Sequence, residues 1–175
     1  MEVKPGYKQT DVGVIPSDWT VRALGSIATI AAGGTPSRRI SEYWGGSIPW
    51  VTTTEIDYGI IHETNESISA AGLKNSAAKL VPAGTILLAL YGQGKTRGKV
   101  SILGIEATTN QACASIIVTQ EVSHLFVFHY LSSRYAAIRA LSNSGSQDNL
   151  SGEIVKSISI PIPSQRPNSR LSLKR

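Results

Sequence analysis

One cysteine, one methionine and two phenylalanines are all that 175 residues hold of those types. With Cys113 alone, no disulfide can form within the chain, which fits a reducing cytosol. Its setting, "NQACASIIV", reads as that of a small buried hydrophobe. Long apolar runs are missing as well. "TILLALY" and "ASIIV" fall far short of the roughly 20 residues that a membrane helix needs. The start, "MEVKPGYKQTDVG", lacks the apolar core of a signal peptide. Charged residues make up 17% against 41% hydrophobic, the balance of a globular domain rather than a disordered one. The expectation is one cytoplasmic domain with its own core and no membrane contact.

Signatures of chemistry are equally scarce. His62, His124 and His129 follow no metal-ligand spacing, and the last two, five apart, do not share a helix face. Cys113 has no local partner that marks a nucleophile. The acids of "EIDYG" have the types of a general-base pair, but nothing beside them supports a reaction. "GKT" at Gly94–Thr96 matches the end of a phosphate-binding loop, yet the position five before Gly94 is Ala89, inside an apolar run. Gly98 then stands where the helix of such a loop begins, and "KVSIL" alternates like a strand. The stretch "LLALYGQGKTRGKV" therefore reads as strand, glycine-rich turn, strand, with cations at its tip. No catalytic residue, metal or cofactor is expected. A binding module leads, an interaction protein is the rival, and a nucleotide hydrolase ranks third.

The net charge of +5 needs dissection. The tail "QRPNSRLSLKR" holds Arg166, Arg170, Lys174 and Arg175 and no acid, so the body keeps 13 of the 17 basic residues against 12 acids. A basic pI alone thus says little about nucleic acid. Distribution says more. Cations gather at Arg38 and Arg39 and at Lys95, Arg97 and Lys99, while Glu55, Asp57, Glu63 and Glu66 form an acidic stretch.

Along the chain, Ser17 or Asp18 is positioned to cap a short helix through "WTVRALGSI". A strand, "IATIAAG", follows, then a loop, "GTPSRRISEYWGGS". "SIPWVTTTEI" reads as a strand with a Thr-rich end, and "ISAAGLKNSAAKLVPAG" as a helix ended by Pro82 and Gly84. The strands "TILLALY", "KVSIL" and "ACASIIV" come next. "HLFVFHYLSSRYAAIRAL" has the spacing of one helix, with apolar residues recurring at three and four. "NSGSQDNLSGEIV" is a polar loop entering a short helix, and "KSISIPIP" a last strand. Trp50, Tyr91 and that last strand are expected to build the core and its edge. With no alternating strand–helix pattern, the expected class is α+β, with a mixed or antiparallel sheet and a few helices.

In that order, "GVIPSDWTVRALGSIATIAAGGTP", "YWGGSIPWVTTTEI", "GTILLALYGQGKTRGKVSILGIEATTNQACASI" and "GSQDNLSGEIVKSISIPIPS" resemble a target recognition domain of the specificity subunit of type I restriction-modification enzymes. The resemblance covers about residues 6 to 164. It implies a non-catalytic module that reads double-stranded DNA. A whole specificity subunit has two such domains joined by helical spacers, each reading half of a split site. It assembles with methyltransferase subunits, which methylate adenine from S-adenosylmethionine, and with an ATP-driven restriction subunit. Residues 1–164 are expected to form the domain. Where the family runs into a spacer helix, residues 165–175 carry Pro167 and few apolar positions, so a disordered basic tail is expected. The chain reads as a half subunit, with a second half subunit as a further partner. Lys95, Arg97, Lys99, Arg38 and Arg39, with Gln93, are expected on DNA, cations holding phosphates. Thr52, Thr53, Thr54, Glu55, Asn110, Gln111 and Gln147 are candidates for base contacts or loop support.

Overall fold

The computed structural model describes residues 3–92, 94–142 and 149–164. In chain order its elements are β1 (Tyr7–Thr10), β2 (Gly13–Pro16), β3 (Thr20–Ala23), β4 (Ala28–Ala32), β5 (Trp44–Val51), β6 (Ile60–Ile61), β7 (Glu66–Ile68), α1 (Ala70–Lys74), β8 (Ile86–Ala89), β9 (Val100–Leu103), β10 (Thr108–Thr109), β11 (Cys113–Val118), α2 (His124–Ser133), α3 (Tyr135–Ala140), α4 (Gly152–Ser157) and β12 (Ser159–Ile162). Among the described residues no helix is long and apolar enough to cross a membrane.

The apolar run "ILLAL" explains the centre of the fold. It is buried on both sides, so it shows no alternation. Ile86, Leu88 and Leu90 face one layer, with Val127, Leu131, Ile138 and Val155 of α2, α3 and α4. Leu87 and Ala89 face the other, with Val51, Ile56 and Cys113. The five-stranded sheet runs β4-β11-β8-β9-β6, antiparallel except where β6 lies parallel to β9. A second sheet, β10-β5-β7, is also mixed. Trp50, Ile68 and Ala78 form its own small core. The α+β class with mixed sheets is as expected. Cys113 is fully buried, and burial pushes its thiol up to about 12.

Four local expectations are corrected. Residues 19–27 are not a helix. Thr20–Ala23 is β3, paired antiparallel with β12, and a single 310 turn follows at Leu24–Ser26, so neither Ser17 nor Asp18 caps anything there. The long helix over 124–141 is two, broken at Arg134, whose φ of −100° and ψ of 15° leave the helical region. The helix after Ile68 stops at Lys74, well before Pro82, because Asn75 bonds back to Ala71 through its side chain. Tyr91 is 39% exposed, so it is not a core residue, whereas Trp50 is 2% exposed. The start of the chain, which carried no element expectation, forms the β1–β2 hairpin.

Candidate nucleic-acid interface

Strand register decides which loops meet. Ala32 at the end of β4 lies opposite Ala114 near the start of β11, and Cys113 opposite Ala89 at the end of β8. Tyr58 donates its amide to Val100 O at the start of β9. β5 and β10 run in parallel, with Val51 opposite Thr109, and Asn110 N then bonds Val51 O at 2.9 Å. One end of the five-stranded sheet therefore collects residues 33–39, 52–58, 91–99 and 110–112. Across five strands spaced about 4.8 Å, this rim is roughly 20 Å wide, more than the width of a DNA major groove.

The glycine-rich turn is a built loop. Gly92, Gly94 and Gly98 have φ of 134°, 68° and 86°, a region where a side chain is strained. Its carbonyls point at α3: Tyr135 Oη donates to Lys95 O at 2.5 Å, Arg139 Nη1 to Arg97 O at 2.7 Å and Nη2 to Gly94 O at 2.8 Å. On the other side Tyr58, itself at a φ of 64°, meets the Tyr135 ring edge-on at 6.1 Å. Burial, then the neighbouring Tyr135, raises the Tyr58 phenol above its usual pKa.

The three cations of this loop differ in role. Lys95 is exposed and forms no ion pair among the described residues. Arg97 is only 9% exposed and packs into the domain rather than standing free at the tip. Lys99 bonds Asp57 at 2.6 Å, and that bond raises its pKa. The acidic stretch thus neutralises one of the three.

The second cationic segment is sorted in the same way. Arg38 forks onto both carboxylate oxygens of Glu66, one bond at 2.9 Å, and its guanidinium lies 3.5 Å over the Trp44 ring. The bond to Arg38 holds the Glu66 carboxyl below the ordinary range, and the same bond raises Arg38. Arg39 is exposed beside it, with no ion pair among the described residues.

The polar candidates hold the rim together. Thr52 and Glu55 form a capping box on the turn Thr53–Glu55: Glu55 Oε2 accepts from the Thr52 amide at 2.7 Å, and the Thr52 and Thr54 hydroxyls are bonded to each other. Glu55 Oε1 also accepts from Asn65 N. Asn110 Oδ1 takes the Ala112 amide at 3.1 Å, which shapes the turn into β11. Gln111 is exposed and accepts from Thr35. Gln93 and Gln147, and the expectation of a disordered tail at 165–175, lie outside the described residues. Thr35, Trp44, Tyr58, Tyr135 and Arg139 were not among the site candidates read from sequence, and Glu66 was read only as part of an acidic stretch. Tyr135 counted only as one of the apolar positions of the expected helix, and Arg139, one helical turn on, was not singled out.

An α+β domain with mixed sheets and one rim of loops has known counterparts. A family model described as the type I restriction modification DNA specificity domain matches residues 16–168, and the chain belongs to that family. The type I restriction enzyme MjaIX specificity subunit of Methanocaldococcus jannaschii is 31% identical over 171 residues, 95% of this chain and 39% of its own length. The EcoR124I/EcoR124II specificity subunit of Escherichia coli is 26% identical over 156 residues, 86% of this chain and 38% of its own. The chain thus spans less than two fifths of these curated relatives. The crystal structure of the HsdS subunit from Thermoanaerobacter tengcongensis matches with a TM-score of 0.67 and 14% identity, over 90% of this chain and 36% of that one. At that identity it speaks for the fold alone.

Proposed function

We propose that this domain reads one half of a bipartite double-stranded DNA site with the rim, and so directs the methyltransferase and restriction subunits of a type I system. The observation that carries the reading is the register of the two sheets. It gathers the cationic and amide-bearing loops, scattered over nearly eighty residues of sequence, at one end of the domain. Lys95 and Arg39, exposed and unpaired among the described residues, are the phosphate contacts. Gln111 and the Thr53–Thr54 turn, on the same rim, are the base readers in this reading. Methyl transfer and cleavage belong to the partner subunits, and a second half subunit would supply the other half-site. Such a complex works in the cytoplasm.

The test is assembly with a cognate methyltransferase subunit, mapping of the methylated site, and anisotropy titration at several salt concentrations. Lys95→Ala is expected to weaken binding on every sequence alike and to lower the salt slope by roughly one unit. Its stability should stay within about 0.5 kcal/mol of the parent. Binding that is indifferent to salt would favour a protein-interaction module instead.

A further inference from the structure

Residues 34–43 leave β4 at the rim and return to β5. Both feet of this loop are pinned. Trp50 Nε1 donates to Gly34 O at 2.9 Å, and Gly34 N bonds Thr109 O at 2.8 Å. A Cβ on Gly34 would sit 2.4 Å from the backbone of Ala77 and Ala78, so this approach allows no side chain. At the far foot Ser69 binds Glu42 O through its hydroxyl at 2.7 Å and Tyr43 O through its amide at 3.0 Å. Between the feet, Trp44 Nε1 reaches back to Ser37 O at 3.2 Å. Thr35 is tied to Gln111, and a further anchor is Arg38. Its plane lies on Trp44, 5.0 Å from the Trp50 ring, and its fork is filled by Glu66, which stands opposite Trp50 in the β5–β7 register. Arg39 and Ile40 follow at once, both exposed, Ile40 by 39%.

We propose that Arg38 is a positioning residue for DNA recognition: stacked on Trp44 and forked onto Glu66, it latches the 34–43 loop so that Arg39, Ile40 and Thr35 are presented at the rim, and it does not itself touch DNA. The chemistry supports this assignment over a phosphate contact. With its fork filled by Glu66 and its face against Trp44, the guanidinium has no bidentate pair left for a phosphate, only single outward N–H groups. Lysine cannot substitute, because it has neither the fork nor the plane. Glu66, an acid at a DNA-facing rim, acquires a function: it repels the backbone, yet without it the loop loses its hold.

This inference rests on the DNA-binding reading, and one experiment separates the two. The full chain and the variants Arg38→Lys, Arg38→Ala, Glu66→Gln and Arg38→Ala/Glu66→Gln are each mixed with a pool of random-sequence duplexes at several salt concentrations, and the bound fraction is sequenced. Arg38→Lys and Glu66→Gln should each reduce the enrichment of the preferred sequence roughly five- to tenfold, the scale of a stacked, bidentate surface pair. The double variant should be no worse than either single one, since both remove the same latch. Losing the latch also releases Arg39, so the salt slope should fall together in Arg38→Lys, Arg38→Ala and Glu66→Gln, by no more than about one unit. Circular dichroism checks folding, and Glu66→Gln, the mildest change, carries the test alone if the Arg38 variants unfold. Parental enrichment by Arg38→Lys or by Glu66→Gln would overturn the latch, and so would a slope lower by about one unit for Arg38→Ala alone. A parent chain that enriches no sequence would instead overturn the DNA reading itself, and the latch with it.

Discussion

Glu66 is the titratable half of the Arg38 pair, and its chemistry fixes a direction for pH. Its bond to Arg38 lowers its folded pKa below the unfolded one. The pair's contribution is therefore complete above the unfolded carboxylate pKa and fades as pH falls through the folded value. Acidification through and below the ordinary carboxylate range is expected to free Arg38 from the Trp44 ring and to change tryptophan emission reversibly before the domain unfolds. Glu66→Gln should lack that step, and an unchanged acid profile in this variant would rule out Glu66 as its source. Arg97 makes a second residue-level contrast. Buried to 9% exposure, it cannot be removed as cheaply as Lys95. Arg97→Ala is expected to cost about 1–3 kcal/mol, read from the denaturant midpoint, because truncation removes a packed, buried side chain. In the sequence both residues look like equal tip cations. The cations were legible because charge is a local property. Their partners were not, since Asp57 lies 42 residues from Lys99 and Glu66 lies 28 from Arg38.

The loop after β8 is an element whose shape depends on α3. Gly98 combines a φ of 86° with a Cβ position 3.0 Å from Arg139 Cγ, whereas Gly94, at 68°, has nothing within 4 Å. Gly94→Ala should therefore bear the left-handed backbone cost alone, about 1–2 kcal/mol. Gly98→Ala should bear that cost and also push Arg139 off the Gly94 and Arg97 carbonyls, so amide exchange across 94–99 should quicken only in the second variant. Equal exchange in both would mean that Arg139 does not order the loop. Elements were legible where the signal is local. β8, β9 and β11 announce themselves as apolar runs between glycines and polar turns. β3 does not, because "TVRA" becomes a strand through pairing with β12 some 140 residues later. The helix spacing over 124–141 was sound, but the break at Arg134 leaves that apolar period intact and so could not be read from it. β6 and β10, two residues each, are too short to carry a period.

At the scale of the whole molecule, β3 and β12 close the domain. Ile160 is fully buried in the main core and lies opposite Arg22. Ile160→Ala is expected to lose about 2–5 kcal/mol, measurable as one cooperative shift of the melting curve. A separate early transition would mean that the closing pair is an appendage rather than part of the core. The class of the fold was legible from the order of strand and helix signals. The rim was not, because it arises only when two sheets fix their registers. The β3–β12 pair also has a hereditary consequence. It joins β4 through the turn Leu24–Ser26, at the end of β4 away from the rim, so residues 20–23 and 159–162 run side by side at the opposite end of the sheet from the rim loops. A genetic exchange with breakpoints in the codons for 20–23 and 159–162 would replace all the loops in one event and leave the splice unchanged. On the proposed reading, such a cassette would change what the rim binds wholesale and leave the β3–β12 seam as it was.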